Sequence, residues 1–368
     1  MLFFFILLIS TGGIFFYYFF FEKIYKGWSA LSLFPPQPPS PLLPAITVVV
    51  AVRNEEKNIP SLLHYLLMQN YPREKLEIII VDDGSSDNTA SIVQTYLNKD
   101  LPLTLIEQPH GGKKQAIVHA LRNASHELIV TTDADCKMGK EWLLSIGNFY
   151  ASHCPDMVIA PVEMSPSDKF TGQFQMLDFY AMIITGAGMA GTGRPVLCNG
   201  ANLAFRKETF LSFEDPLLQK TPSGDDVFLL LSFKKEKRKI CFLKSEEAKV
   251  TIPPEESLRT FLRQRIRWAS KTKFYRDKDI LMLTALVWTV NFLIVLNILM
   301  MFASVRYGII AIMMIVIKSL ADYRLLNAYC RFCKQSSAMR AFFPAQCLYP
   351  FYITFTGIIS QFIPSRWK

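Results

Sequence analysis

Residues 2–21 carry no charged side chain and are almost wholly apolar or aromatic. A bilayer's hydrocarbon core, about 30 Å thick, takes about 20 helical residues to cross, so this segment is expected to span a membrane. It lacks a basic stretch before it and a small-residue cleavage site after it, which predicts a retained anchor rather than a removed leader. Glu22, Lys23 and Lys26 follow, and positive charge marks that end as cytoplasmic. Three more apolar segments, 281–303, 307–321 and 342–363, are expected near the other end. Arg324, Arg331, Lys334 and Arg340 are expected in a cytoplasmic loop after the third segment, making the second and third a hairpin. Pro344 and Pro350 interrupt the fourth, which is still expected to span.

Between these ends the pattern changes. Six prolines from Pro35 to Pro44 predict a stiff linker that neither continues a helix nor pairs in a sheet. Behind it, short apolar runs alternate with helix-like segments. The runs are ITVVVAV, EIIIVDD, LTLIEQ and ELIVTTDAD; the helices are expected near 59–69, 90–98 and 114–124. Fully apolar strands alternating with helices predict an α/β fold with a doubly wound, mostly parallel sheet flanked by transmembrane helices. The expected divisions are an anchor over 1–22, a linker over 23–44, an α/β domain over 45–254, an interfacial helix over 255–279 and a membrane domain over 280–368. At 368 residues there is room for one large core with a cleft.

A net charge of +9 raises the question of nucleic acid. The basic residues, however, sit beside apolar segments and in one helical run, which suits anionic headgroups and a phosphorylated substrate instead. No nucleic-acid partner is expected. The seven cysteines are scattered; Cys330 and Cys333 form a CxxC without a second pair, expected on a short basic loop, which fits a reduced compartment better than a metal site.

Ligands of open parallel sheets sit beyond the carboxyl ends of the strands, and those ends are acidic here. The first strand ends in Arg53, Asn54, Glu55 and Glu56, the second in Asp82 and Asp83, the fourth in Asp133 and Asp135. Two residues apart on extended chain, Asp133 and Asp135 face the same way and suit a hard cation, Mg2+ or Mn2+, that leaves positions open for diphosphate oxygens. Gly111 and Gly112 precede Lys113 and Lys114 at a helix start, a candidate diphosphate contact in which both ammonium groups take part. NGANLAF (199–205) and SGDD (223–226) follow, and Asp225 or Asp226 is a candidate base for an acceptor hydroxyl. Gln264, Arg267 and Trp268 share one face of a helix expected over 258–269: a guanidinium for phosphate oxygens and an indole for a sugar ring. The segment 170–194, apolar and Gly-rich, is expected on the acceptor side.

Taken in order, VVVAVRNEE, VDDGSSDNT, HGGKKQA, DAD, NGANLAF, GDD and QRIRW resemble family 2 glycosyltransferases over about residues 45–273. The likeness is greatest to the membrane-integrated branch that holds cellulose, chitin and hyaluronan synthases and ceramide glucosyltransferases. The resemblance implies a GT-A-type fold and inverting transfer from a nucleotide-sugar donor, most often a UDP-sugar. It implies donor contacts at Asn54, Glu55, Asp82, Asp83, Lys113, Asp133, Gln264 and Arg267, and metal at Asp133 and Asp135. Asp225 matches the base, with Asp226 second; Trp268, Asn199 and Gly200 would face the acceptor. Four or fewer apolar segments favour a membrane lipid or lipid-linked glycan acceptor, used at the cytoplasmic face, over a channel for a growing polysaccharide. A processive synthase, a sugar-nucleotide-forming enzyme, and a non-catalytic member that binds nucleotide sugars or scaffolds an export or assembly complex are the alternatives.

Overall fold

The apolar runs read from the sequence pair side by side. In the computed structural model, which describes residues 1–97, 102–219, 221 and 224–362, β1 (Ile46–Val52), β2 (Leu76–Asp82), β3 (Leu103–Glu107) and β4 (Leu128–Thr131) are parallel, in the order β3-β2-β1-β4. Val48 stands level with Ile78 on one side and Val130 on the other, and all three are fully buried. Helices α2 (Ile59–Leu67), α3 (Thr89–Gln94) and α4 (Lys113–Asn123) make the crossovers. The second helix of this series, expected to reach Asn98, ends at Gln94; residues 98–101 lie outside the described ones.

Beyond β4 one strand of the sheet runs against the others. β8 (Leu203–Arg206) is antiparallel to β4 and to β6 (Met157–Ile159), and β9 (Ile240–Phe242) is parallel to β6. A small second sheet joins β5 (Lys137–Met138), β10 (Val250–Ile252) and β7 (Val162–Met164). Helices α5 (Trp142–His153), α7 (Lys207–Leu211) and α8 (Asp225–Lys235) complete this unit. Buried Asn202, just before β8, ties it together: its side-chain oxygen accepts from Trp142 Nε1 at 2.9 Å, and its amide nitrogen donates to the carbonyls of Pro161 and Ala248, both at 2.7 Å. The proline-rich segment is strapped to the same unit. Asn148 on α5 accepts from Ser40 N and donates to the Gln37 and Pro38 carbonyls, while the Tyr71 hydroxyl donates to the Pro44 carbonyl at 2.5 Å.

A second unit gathers, among the described residues, Met1–Ala30, Pro166–Val196 and 254–362. Pro166–Val196, inside the 45–254 span read from the sequence, thus clusters with the helices. They are α1 (Leu2–Ala30), α6 (Phe170–Gly191), α9 (Leu258–Ala269), α10 (Lys278–Met300), α11 (Val305–Phe332) and α12 (Phe342–Phe362). Among the described residues three helices, Phe3–Ala30, Lys278–Met300 and Ser336–Phe362, are long and apolar enough to cross a membrane. Helix α1 continues past Phe21 and Glu22, so Lys23 and Lys26 sit on it rather than in a linker. Similarly α11 carries Arg324 and Arg331, which were expected in a loop; Cys330 lies on it and Cys333 caps it, both buried, so the CxxC is not on a basic loop. Pro350 falls inside α12 without ending it, and Ile363 lies outside the described residues.

Helices α1 and α6 touch backbone to backbone. A Cβ on Gly27 would stand 2.1 Å from the Gly188 carbonyl oxygen, and one on Gly188 would stand 2.4 Å from that of Ile24. Small residues at a helix crossing allow such approach. Elsewhere in this unit Lys318, 1% exposed, donates to Asp322 at 2.6 Å and Gln346 at 3.0 Å, and Tyr17 donates to Asp322 at 2.7 Å.

Candidate active site

The strand order 3-2-1-4 makes the crossovers leave β1 and β4 in opposite directions, and a crevice forms at the carboxyl ends where they part. Loops after β1 and β2 are zipped together above it. Asn54, with φ +55°, accepts from Ser86 N at 2.8 Å. Glu55 N donates to Thr89 Oγ1 at 2.8 Å and Glu56 N to Asp87 at 3.1 Å. Asp82 accepts from the Ser85 amide and hydroxyl.

Asp83, fully buried, has donors on both oxygens. Oδ1 accepts from Gly111 N at 2.7 Å and Gln108 Nε2 at 2.8 Å; Oδ2 takes His110 Nδ1 at 2.7 Å and Gly112 N at 2.9 Å. Burial pushes its carboxyl up, but these hydrogen bonds outweigh that and hold it below the ordinary aspartate value. The consequence is a fixed HGG loop that leads straight into α4. Gly112, at φ +91°, makes the turn, a conformation that glycine adopts without strain.

Lys113, in the first turn of α4, reaches the end of β4. Its Nζ lies 2.6 Å from Asp133 Oδ1 and 3.7 Å from Asp225 Oδ2. Burial alone would lower its pKa; Asp133, Asp225 and Asp226 outweigh it and raise the pKa above the usual lysine range, so the charge is permanent. Asp225 and Asp226 open α8, after Gly224 at φ +87°. The Gly200 amide donates to Asp226 at 3.3 Å, and the Gly200 carbonyl accepts from Thr131 Oγ1 at 2.8 Å. Lys113, Thr131, Thr132, Gly200, Asp225 and Asp226 line one small cavity. Asn199 caps the turn there by accepting from Ala201 N at 3.0 Å. Ser223 lies outside the described residues.

Asp135 is pushed up to about 6 by burial first and by the nearby carboxylates of Asp133 and Glu55 second. Crowded negative charge of this kind is what a bound cation relieves. Among the described residues no group of three or more side chains could by itself hold a metal.

The pairing of lysines expected from HGGKK does not hold. Lys114 is 5% exposed and points away from Lys113's partners, donating to the carbonyls of Leu217 at 2.6 Å and Leu218 at 2.9 Å and to Thr221 Oγ1 at 2.6 Å. On a helix, neighbouring residues diverge by about 100°, and that divergence separates the two roles.

Gln264, Arg267 and Trp268 lie on α9 in the helical unit, within the bounds read from the sequence, and Ser257 caps the helix by accepting from Thr260 N at 3.2 Å. Gln264 donates to Glu255 Oε1 at 2.6 Å and accepts from Arg265. Arg265, missed in the sequence, is the buried member: it pairs with Asp178 on α6 at 2.5 Å and lies 4.2 Å from the Trp268 ring centre. A cation inside an otherwise apolar stripe was the available signal.

Comparison with known proteins agrees with this architecture. A mannosyltransferase from Pyrobaculum calidifontis, solved with GDP-Man and Mn2+, superposes with a TM-score of 0.59 at 21% identity, over 94% of this chain and 96% of that one. The fold is therefore GT-A-like, α/β with a mostly parallel central sheet. In sequence, an N-acetylglucosaminyltransferase of Rhizobium meliloti is 26% identical over 246 residues, 64% of this chain and 57% of that protein. The poly(ribitol-phosphate) beta-N-acetylglucosaminyltransferase TarS of Staphylococcus aureus is 34% identical over 114 residues, 31% of this chain and 20% of that protein. A beta-monoglucosyldiacylglycerol synthase of Trichormus variabilis is 33% identical over 107 residues, 28% of this chain and 23% of that protein. The match thus spans at most just over half the length of these relatives. Residues 47–210, which run from the second residue of β1 through β8 and include the loops that carry Asp83, Lys113 and Asp133, match the model of Glycosyl transferase family 2.

Proposed function

We propose that this chain is an inverting glycosyltransferase of the membrane-integrated kind. It moves a sugar from a nucleotide donor, with UDP the favoured nucleotide, to a membrane-resident lipid or lipid-linked glycan at the cytoplasmic face. The observation that carries the proposal is the placement of Lys113 between Asp133 and Asp225 at the carboxyl end of β4. A permanent cation, a carboxylate pair and a candidate base within a few ångströms are what displacement of a diphosphate by a hydroxyl requires.

In this reading the donor diphosphate lies against Lys113, with Asn54, Glu55 and Asp82 on the nucleotide side. Its oxygens compete with Asp225 for the ammonium group, and the freed Asp225 carboxylate takes the acceptor hydroxyl proton. The hydroxyl oxygen bonds to the anomeric carbon from the face opposite the leaving group, the bond to the diphosphate oxygen breaks, and the nucleoside diphosphate departs. Asp133 and Asp135 are the residues that would hold Mg2+ or Mn2+, which supplies charge neutralisation for the leaving diphosphate. Asp83 acts one step back, through the loop it fixes. Gln264, Arg267 and Trp268 are assigned to the diphosphate and acceptor side. The three long apolar helices support a membrane-resident acceptor, with the anchor's basic end cytoplasmic.

The test is release of nucleoside diphosphate by the purified protein. UDP-GlcNAc, UDP-glucose and GDP-mannose would each be offered with extracted membrane lipids, in Mg2+ and in Mn2+. Release that depends on lipid, with the sugar recovered in the lipid fraction, is expected from one donor. No release from any donor under any of these conditions overturns the reading.

A further inference from the structure

We infer that Lys114 is a positioning residue for Asp225, acting through Phe228, one turn further along α8; this rests on the transfer reading above. Among the described residues the Lys114 ammonium group donates to the Leu217 and Leu218 carbonyls and to Thr221 Oγ1, at 2.6, 2.9 and 2.6 Å. They come from one short stretch that ends four residues before Asp225. The same Nζ lies 5.1 Å from the centre of the Phe228 ring, inside α8 itself. Lys114 therefore meets Leu217, Leu218 and Thr221 on one side and the first turn of α8 on the other.

That stretch is wound into an unusual shape to make this grip. Leu218 has φ +52°, a left-handed conformation that a branched side chain adopts only when its surroundings impose it. The Leu218 carbonyl also accepts from the Thr221 amide at 3.0 Å and the Thr221 hydroxyl at 2.9 Å, and Gln219 N is held by Asp215 at 2.9 Å. Leu217, Leu218 and Thr221 thus present three oxygens to the lysine.

Both prongs leave one helical turn. Lys113 meets the Asp133 and Asp225 carboxylates, and Lys114 meets the helix that carries Asp225. A core lysine that served stability alone could have found acceptors anywhere. These acceptors hold the ammonium group beside the Phe228 ring, one turn along the helix from Asp225.

Lys114→Met keeps the length and apolar stem and removes the donors. The expected result is a kcat lower by roughly 10- to 100-fold, because a carboxylate displaced by about an ångström loses much of its catalytic effect, with donor KM and calorimetric UDP affinity within about twofold of wild type. Lys114→Arg is expected to recover part of the kcat, and Thr221→Val, which removes one acceptor, to show a smaller loss. A Lys114→Met enzyme with unchanged kcat overturns the inference. So does a loss in which donor affinity falls as far as kcat, since that marks a general loss of structure. If Lys114→Met does not fold, Thr221→Val decides by the same split. If the wild type releases no diphosphate from any donor, the transfer reading fails by itself. The grip is then judged by amide hydrogen exchange, where faster exchange in α8 than in α2 of Lys114→Met supports it and equal exchange overturns it.

Discussion

Lys113 in the α/β unit and Lys318 in the helical unit each hold an aspartate at 2.6 Å, but in different surroundings. The Lys318 side chain is 1% exposed, shares Asp322 with Tyr17 and Gln346, and faces the Tyr349 ring at 4.8 Å. The cluster joins α1, α11 and α12 into a closed network. Lys113 is 22% exposed, and its two carboxylates are 36% and 14% exposed. A saturated buried network rigidifies, whereas a partly solvated bridge between two carboxylates can trade partners at little cost. One lysine is built to stay and the other to let go.

The sharpest way to break that contrast is at the exchangeable end. Asp225→Asn keeps the shape and removes the proton acceptor. Turnover is expected to fall by about 10²- to 10⁴-fold with donor affinity and unfolding temperature near wild type, read by diphosphate release, calorimetry and a thermal scan in detergent. If turnover survived, Asp226 would take the role of base. At the closed end the opposite split is expected. Lys318→Met leaves Asp322, 12% exposed, without its cation, which costs up to about 3 kcal/mol, seen as a lower unfolding midpoint in detergent with donor affinity unchanged. A large loss of donor affinity with an unmoved midpoint would reverse the two roles.

A smaller effect tests the packing of the helical unit rather than its charge. Gly188→Ala sets a methyl 2.4 Å from the Ile24 backbone oxygen, and neither backbone yields as a flexible side chain would. Overpacking of this kind costs about 1–3 kcal/mol. The detergent unfolding midpoint should drop, while transfer by the folded fraction persists. A variant as stable as wild type would mean that α1 and α6 have room to part.

How much of this was legible beforehand follows from what each feature depends on. Strands β1, β2 and β4 were legible because burial on both faces leaves a continuous apolar run, and helix α9 because its apolar positions recur at helical spacing. Asp133 and Lys113 were legible because residues at strand ends and helix starts point into a crevice whatever the rest of the fold does. The reversal at β8 was not, since LAFR reads the same in either direction. Lys114 and Arg265 were misread or missed for a related reason: a cation in the sequence looks solvated until its acceptors, Leu217 and Asp178, are seen to come from far along the chain. Docking of the proline segment on Asn148 is of the same long-range kind. Pro350 shows the reverse error, a local breaker overruled by the packing of α12.

The smallest expected effect lies at Asp83, which behaves like the closed lysine although it stands beside the exchangeable one. Its carboxyl is held below the ordinary value by four donors, so the folded state binds its proton less readily than the unfolded chain. Such a group contributes stability that is complete above the unfolded value, about 3.9, and that is lost as pH falls through the lower folded value. Stability of the wild type should therefore decline more steeply below about pH 4 than that of Asp83→Asn, in which this proton is absent from both states. Parallel acid limbs in urea unfolding would mean that the four donors hold the loop without favouring the charge, and Asp83 would then belong with Lys113 among the groups free to change partners.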